Sequence, residues 1–179
     1  MSQVTPDETL LGLLAARSRH GYELLDCFSD PAQLGEVWHL STSQLYAVLK
    51  RLETQKLIDG QQVVVADAPT RTEYALTKQG QTHLDAWLQE TRPSPSIRRV
   101  RVEFLSRLYI ARLLNLPTAA IVECQKRVCR EKQAELVVCL EQSAPGIGRL
   151  TLELVVQQMG VILQWLDRCE LAPRSDGDS

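Results

Sequence analysis

The chain has 179 residues, 44% of them hydrophobic and 23% charged, with a formal net charge of −2. Against roughly 150 residues per domain this allows one domain or two small ones, and the composition excludes a wholly disordered chain, a collagen-like chain and a small disulfide-stapled fold. Aromatics are only 5%, so a core must be built mainly from Leu, Val, Ile and Ala, and the bulk charge neither announces nor excludes a nucleic-acid partner.

In chain order, Thr5-Pro6-Asp7-Glu8 predicts the start of a first helix, with Thr5 as N-cap, Pro6 at the first helical position and Glu8 reaching back to the cap amide. Leu10, Leu11, Leu13, Leu14 and Ala15 follow, and His20-Gly21 breaks the helix. A second helix is expected from about Tyr22, with Leu24, Leu25 and Phe28 inward. Pro31 and Gly35 loosen its end. Ser41-Thr42-Ser43-Gln44 predicts a capping box in which Ser41 is the N-cap and Gln44 its reciprocal partner. Leu45, Val48, Leu49 and Leu52 then recur at spacings of three and four, which is one buried stripe. The opposite face shows Thr42, Ser43, Tyr46 and Lys50, with Glu53 at its edge, and the helix is expected to end near Lys56.

The period then changes. Gln61–Ala66 is polar and β-branched, Asp67-Ala68-Pro69-Thr70 has turn chemistry, and Arg71–Leu76 alternates with Thr72, Tyr74 and Leu76 on one side. These segments predict a β-hairpin. Thr77 caps a fourth helix with Leu84, Trp87 and Leu88. Arg92-Pro93-Ser94-Pro95-Ser96 reads as a domain boundary, giving expected domains at 1–91 and 92–172 and a polar tail at 173–179. Three helical patterns follow the boundary, at about 97–114, 117–142 and 148–171. The last carries two apolar stripes: Leu152, Val155, Met159, Ile162 and Leu166, and Leu154, Val161 and Trp165. A surface helix needs only one stripe, so the second calls for another partner, which a symmetric dimer supplies, and Leu152, Val155, Met159, Ile162, Leu166 and Trp165 are expected at that interface.

Helix–helix–helix–hairpin–helix within about ninety residues is the order of a winged helix-turn-helix. In such a motif the second helix enters the DNA major groove with its N-terminal side chains toward the bases. Here that helix starts at Ser41. Ser and Gln can hydrogen-bond bases or phosphates, Lys50 and Arg51 can neutralise phosphates, and Arg71 or Thr72 of the hairpin can reach the backbone or minor groove. The expected fold class is therefore mainly α: an N-terminal winged helix-turn-helix domain with a small β-hairpin wing, plus a C-terminal α-helical dimerisation domain.

Leu10-Leu11-Gly12-Leu13-Leu14, Gly21-Tyr22-Glu23-Leu24, Trp38, Ser41-x-x-Gln44-Leu45-Tyr46, Leu49-Lys50-Arg51-Leu52-Glu53, Arg71-x-x-Tyr74-x-Leu76-Thr77, Gly80 and Trp87-Leu88 together resemble the PadR family of bacterial transcriptional regulators. The resemblance covers nearly all of residues 8–90. It extends more loosely to Glu103-Phe104-Leu105-x-Arg107-Leu108 and Trp165-Leu166. It implies a cytoplasmic, homodimeric, sequence-specific binder of double-stranded operator DNA, usually a repressor, which in some members is released by a small-molecule effector. The DNA-contact role passes to Ser41, Ser43, Gln44, Tyr46, Lys50 and Arg71, which match the family's motif. The chain departs from the family at Gln55-Lys56-Leu57, where a glycine usually precedes the apolar pair.

Several residues keep two readings. Tyr46 is a core aromatic or a DNA contact, and its place at the edge of the buried face favours DNA. Lys50 and Arg51 are solvated or touch phosphate, and the surrounding motif favours phosphate. Glu53 reads as structural. Arg98, Arg99, Arg101 and Arg107 read first as a solvated helix face, and second as phosphate contacts or carboxylate partners across the dimer. The five cysteines read as small buried hydrophobes in a reducing compartment, with a redox switch at Cys124 or Cys129 as the minor alternative. Trp38 and Trp87 read as core residues and Trp165 as a packed dimer contact.

The N-terminus lacks a signal-peptide pattern and no run is long and apolar enough to span a membrane, so no membrane partner is expected. The chain has no P-loop, G-x-S-x-G, H-E-x-x-H or dinucleotide fingerprint, and its histidines are scattered. An enzyme, a metal site and a cofactor are therefore not expected. One feature favours a second function. Residues 1–91 hold seven Lys+Arg against twelve Asp+Glu, net −5, whereas DNA-binding domains are usually basic. The alternative is a winged-helix protein-interaction module that no longer binds DNA.

Overall fold

A computed structural model describes residues 4–63 and 71–171. Helices dominate them, with one antiparallel sheet of β1 (Arg19–His20), β2 (Ile58–Val63) and β3 (Arg71–Leu76) in the strand order β1-β3-β2. The turn expected at 67–70, the strand expected over 64–66 and the tail expected at 173–179 lie outside the described residues. By packing, the described residues form two units: those up to Glu90 together with Leu105–Leu116, and Thr91–Phe104 together with those from Pro117 onward.

In the first unit, α1 (Asp7–Ala16) is the centre of the core. Leu10, Leu11 and Leu13 are completely buried, because α4 (Lys78–Leu88), α6 (Leu105–Leu113) and strand β3 surround it. Gly12 is required there: a Cβ at this position would fall 2.4 Å from Ile110 Cγ2 of α6. The expected Thr5 cap is not made. The cap position falls on Pro6 with no side-chain bond, and the Thr5 hydroxyl turns to the Asp7 carboxylate instead.

The first strand, β1 (Arg19–His20), was not legible in the sequence. It pairs Arg19 with Tyr74 and His20 with Glu73. Two residues carry no periodic signal; they are extended because His20 is the N-cap of α2 (Gly21–Ser29). The Glu23 carboxylate accepts the His20 N–H at 2.9 Å, and that bond is the main cause of its lowered pKa. Leu24, Cys27 and Phe28 are buried, as is Trp38, which meets Phe28 edge-on and donates its indole N–H to Ser106 Oγ at 2.8 Å. Leu25, expected inward, is only half-buried.

The third helix, α3 (Thr42–Thr54), buries Leu45, Val48, Leu49 and Leu52 as the stripe predicts. Strand β2 (Ile58–Val63) begins earlier than the β-branched run suggested, because the chain turns sharply at Lys56. Lys56 adopts φ 58°, and the Leu57 N–H bonds back to Leu52 O. This left-handed position favours glycine, and it is where the chain departs from the family's glycine. Strand β3 (Arg71–Leu76) pairs with β2 from Ile58↔Leu76 to Val63↔Arg71. Thr77 caps α4 by accepting the Gly80 N–H at 3.0 Å. Arg107, read as part of a solvated basic face, is instead 4% exposed. Its guanidinium lies 5.1 Å from the centre of the Trp87 ring, which offers a π face to the charge.

The second unit begins with α5 (Ile97–Arg99) and a π-helical stretch, Val100–Phe104. It continues with α7 (Ala119–Glu141) and α8 (Ile147–Leu171), which form a helical hairpin. Phe104 meets Trp165 edge-on with ring centres 5.8 Å apart. Lys126 of α7, only 4% exposed, bonds to Asp167 of α8 at 3.0 Å and to Glu123 at 3.2 Å. Arg149 closes the hairpin: it donates to Leu140 O at 3.0 Å and pairs with Glu153 at 3.1 Å.

The α8 stripes divide unequally. Met159 and Leu166, expected at a dimer interface, are instead buried by their own unit, so they have no surface left to offer a second copy, while Leu152, Val155, Ile162 and Trp165 are half-buried. Ile147, Leu150, Leu154 and Val161 are 82%, 59%, 55% and 64% exposed.

Cys27, Cys129 and Cys169 are buried, Cys124 is intermediate and Cys139 exposed, and all five are free thiols. Burial raises the pKa of Cys27 and Cys129, which keeps them as thiols and disfavours redox chemistry there.

Candidate nucleic-acid interface

The first turn of α3 is built by reciprocal bonds. Ser41 Oγ accepts the Gln44 N–H at 3.3 Å, and Gln44 Oε1 accepts the Ser41 N–H at 2.8 Å. Ser41 Oγ also lies 3.1 Å from Ser43 Oγ and donates to Gln44 Oε1 at 3.1 Å. Residues 41–44 are all exposed, so these polar side chains are preordered while open to a partner. A preset geometry reduces the entropy lost on binding.

Beyond that turn, Lys50 is exposed on the same helix and forms no ion pair among the described residues. Arg51, its neighbour, behaves differently. Its guanidinium holds both Asp7 oxygens, at 2.6 and 2.8 Å, and so ties α3 to the start of α1. Tyr46 is 38% exposed. Its ring lies against the backbone of Gly21: a Cβ there would meet the Tyr46 hydroxyl oxygen at 2.5 Å and ring carbons at 2.8 and 2.9 Å. Tyr46 therefore sets the approach of α3 to α2 while keeping an exposed edge.

The hairpin is joined to the same surface. Gly60 of β2 faces Glu53 of α3 and Tyr74 of β3; a Cβ there would lie 2.7 Å from Glu53 Oε1 and 3.1 Å from Tyr74 Cε1. Burial, Glu53 and Tyr46 together push the Tyr74 hydroxyl pKa up, in that order of effect. The Thr72 methyl also crowds Gly60, at 3.1 Å from the same Cβ position, so this side chain faces the body of the unit. The Thr72 carbonyl lies 3.3 Å from His20 Nδ1, which links β3 to the start of α2. Arg71 is exposed.

All nine residues expected to meet DNA thus lie in the first unit, at Ser41–Gln44, Tyr46, Lys50, Arg51, Arg71 and Thr72. Beyond the mutual bonds of Ser41, Ser43 and Gln44, three are engaged by another segment of the chain: Arg51 by Asp7, Tyr46 against Gly21 and Thr72 against Gly60. The sequence did not mark Asp7, His20, Gly21 and Gly60 as supports of this surface. Each acts through a partner distant in the chain, and no local pattern marks such a role. Among the described residues no group of three or more His, Cys, Asp and Glu could hold a metal, and no helix is long and apolar enough to cross a membrane.

Residues 10–86 match the Transcriptional regulator PadR-like family. Over 170 residues the chain is 28% identical to the negative transcriptional regulator PadR of Bacillus subtilis (strain 168), covering 88% of this chain and 91% of that protein. Among solved structures it is similar to Bacillus subtilis PadR in complex with operator DNA, at 23% identity over 92% of this chain and 97% of that one, with a TM-score of 0.47. It is also similar to smu.1604c from Streptococcus mutans UA159, at 22% identity over 95% and 100% of the two chains and a TM-score of 0.46. For Bacillus subtilis PadR in complex with p-coumaric acid the values are 23%, 91% and 92%, with a TM-score of 0.43.

Proposed function

Since the chain carries a PadR-like family domain at residues 10–86, we propose that it is a cytoplasmic, homodimeric, sequence-specific DNA-binding repressor. The observation that carries this reading is the exposed, preordered turn Ser41–Gln44 at the head of α3. In this reading Ser41, Thr42, Ser43, Gln44 and the exposed edge of Tyr46 face the major groove. Lys50 neutralises a phosphate, and the wing approaches through Arg71 and Thr72. Arg51 gives Nε and Nη2 to Asp7, so its first role is to hold α3 in place, and Nη1 is what it has left for a phosphate.

Residues 92–172 supply the dimer. The apolar row Ile147, Leu150, Leu154 and Val161 supports this, because its members at 147, 154 and 161 repeat at a heptad spacing and remain exposed in the single chain. Leu152, Val155, Ile162 and Trp165 flank the row; Met159 and Leu166 support it from within. Two recognition helices would then address half-sites about 34 Å apart or a multiple of that, and the bound dimer would block a promoter. Release by a small-molecule effector belongs to the same reading, and p-coumaric acid is the first compound to titrate.

The test is fluorescence anisotropy with duplexes selected from a random pool, against scrambled controls, over a salt series. We expect sequence-dependent binding whose log–log salt slope is about −0.9 per neutralised phosphate. Absence of any preferred duplex would overturn the reading. The acidity of residues 1–91, net −5, favours the second reading, a winged-helix module that binds a protein. Replacing Gln44 and Lys50 together by Ala separates the two: DNA binding that survives both changes excludes α3 as the recognition helix.

A further inference from the structure

Gln44 is exposed, yet its two ends are not equally available. Its Oε1 accepts from the Ser41 N–H at 2.8 Å and from the Ser41 hydroxyl at 3.1 Å, which occupies both lone pairs of that oxygen. The amide orientation is set by the network, because an NH2 group turned toward the Ser41 N–H would place donor against donor. What is left for a partner is therefore the Nε2 group, which donates and cannot accept and has no partner among the described residues.

This limits what Gln44 can read. The familiar pairing of Gln with adenine uses the amide oxygen to accept from N6 and the amide nitrogen to donate to N7. With its oxygen held in the capping box, Gln44 cannot make that pair. A donor-only group can meet adenine N7 too, but adenine and cytosine set an amino donor where guanine offers O6 beside N7 and thymine offers O4, so the keto bases match it better. We propose that Gln44 is a specificity-determining residue that selects a keto base, guanine or thymine, in each half-site. The capping box with Ser41 is thus part of base selection as well as of helix stability. This inference rests on the DNA-binding reading above and deepens it.

The experiment is selection from a random duplex pool with the full-length wild type and with Gln44→Ala and Gln44→Glu, each checked for folding by thermal melting. The position read by Gln44 is the one whose preference is lost in Gln44→Ala, by roughly tenfold in discrimination. We expect guanine or thymine there in the wild type. Glu preserves the reach back to the Ser41 N–H but presents its second oxygen as an acceptor, so Gln44→Glu should bind more weakly overall and shift that position to cytosine or adenine. Adenine or cytosine at the wild-type position would overturn the proposal. So would an affinity loss in Gln44→Ala that is equal for all duplexes, which marks a phosphate contact. If the wild type itself selects no sequence, the DNA-binding reading falls and this one with it; if it selects a site with the wrong base, only this one falls.

Discussion

The outward faces of α3 and α8 show two ways of meeting a partner. On α3 the buried stripe is satisfied within its own unit, with Leu45, Leu49 and Leu52 fully buried, and what remains outside is mainly polar: hydroxyl and amide groups, Lys50, Arg51 and Glu53. Among the described side chains of α8 only Met159, Leu166 and Cys169 are buried, and the outside still carries Ile147, Leu150, Leu154 and Val161. The first face is complete as a folded surface and suits a polar, charged ligand. The second leaves apolar area in water and is stabilised by covering it, at about 25 cal/mol per Å². Polar preorganisation serves specificity, and exposed apolar area serves association.

The strongest way to break this contrast is to charge the apolar row. Leu154→Glu with Val161→Glu should weaken self-association by about 100-fold or more, since each buried carboxylate would lack a partner. Sedimentation velocity measures the loss, helicity should hold, and an unchanged oligomer would remove the row from the interface. A matched pair of truncations sharpens it. Leu49→Ala should cost about 2–5 kcal/mol in urea unfolding. Leu150→Ala, at a 59% exposed site, should change monomer stability by less than about 0.5 kcal/mol.

Gly21→Ala tests how α3 is held. The added methyl pushes the Tyr46 ring off its seat, so operator affinity should fall about tenfold. The effect should be non-additive with Tyr46→Ala. Equal losses in both backgrounds would mean that the contact is not used. Lys56→Gly acts in the favourable direction: relief of the φ 58° strain should stabilise the protein by about 1 kcal/mol, read as a higher denaturation midpoint.

The smallest expected effect is on acid stability. The Glu23 carboxylate is held below its ordinary pKa, chiefly by the His20 N–H and then by Arg17 against some burial. The sign follows from linkage: this contribution is fully present above the unfolded pKa and is lost as pH falls below the ordinary carboxylate range and through the lowered folded value. Denaturation of Glu23→Gln should show a flatter dependence across that window than wild type, and identical curves would remove the bond from the stability of α2.

Much of the fold was readable because its signals are local. The capping box at Ser41–Gln44, the spacing of Leu45, Val48, Leu49 and Leu52 and the Thr77 cap involve side chains one or two helical turns apart, so neighbours in sequence are neighbours in space. The same logic failed at Thr5, where a competing acceptor at Asp7 took the hydroxyl. It failed at β1 as well, where two residues pair with a strand more than fifty positions away. Arg107 looked like one member of a basic run until Trp87 covered it.

By itself, the sequence determined the order of helices and hairpin, the buried stripe of α3, its polar head and the apolar excess of α8. These follow from period and capping chemistry, which short-range geometry settles. The tertiary structure decided which of the marked residues remain available. It committed Arg51 to Asp7, 44 residues away, seated Tyr46 on Gly21, turned Thr72 toward Gly60 and buried Met159 and Leu166 while leaving Leu154 and Val161 outside. Each outcome depends on a contact between segments far apart in the chain, and such contacts exist only once the elements have packed.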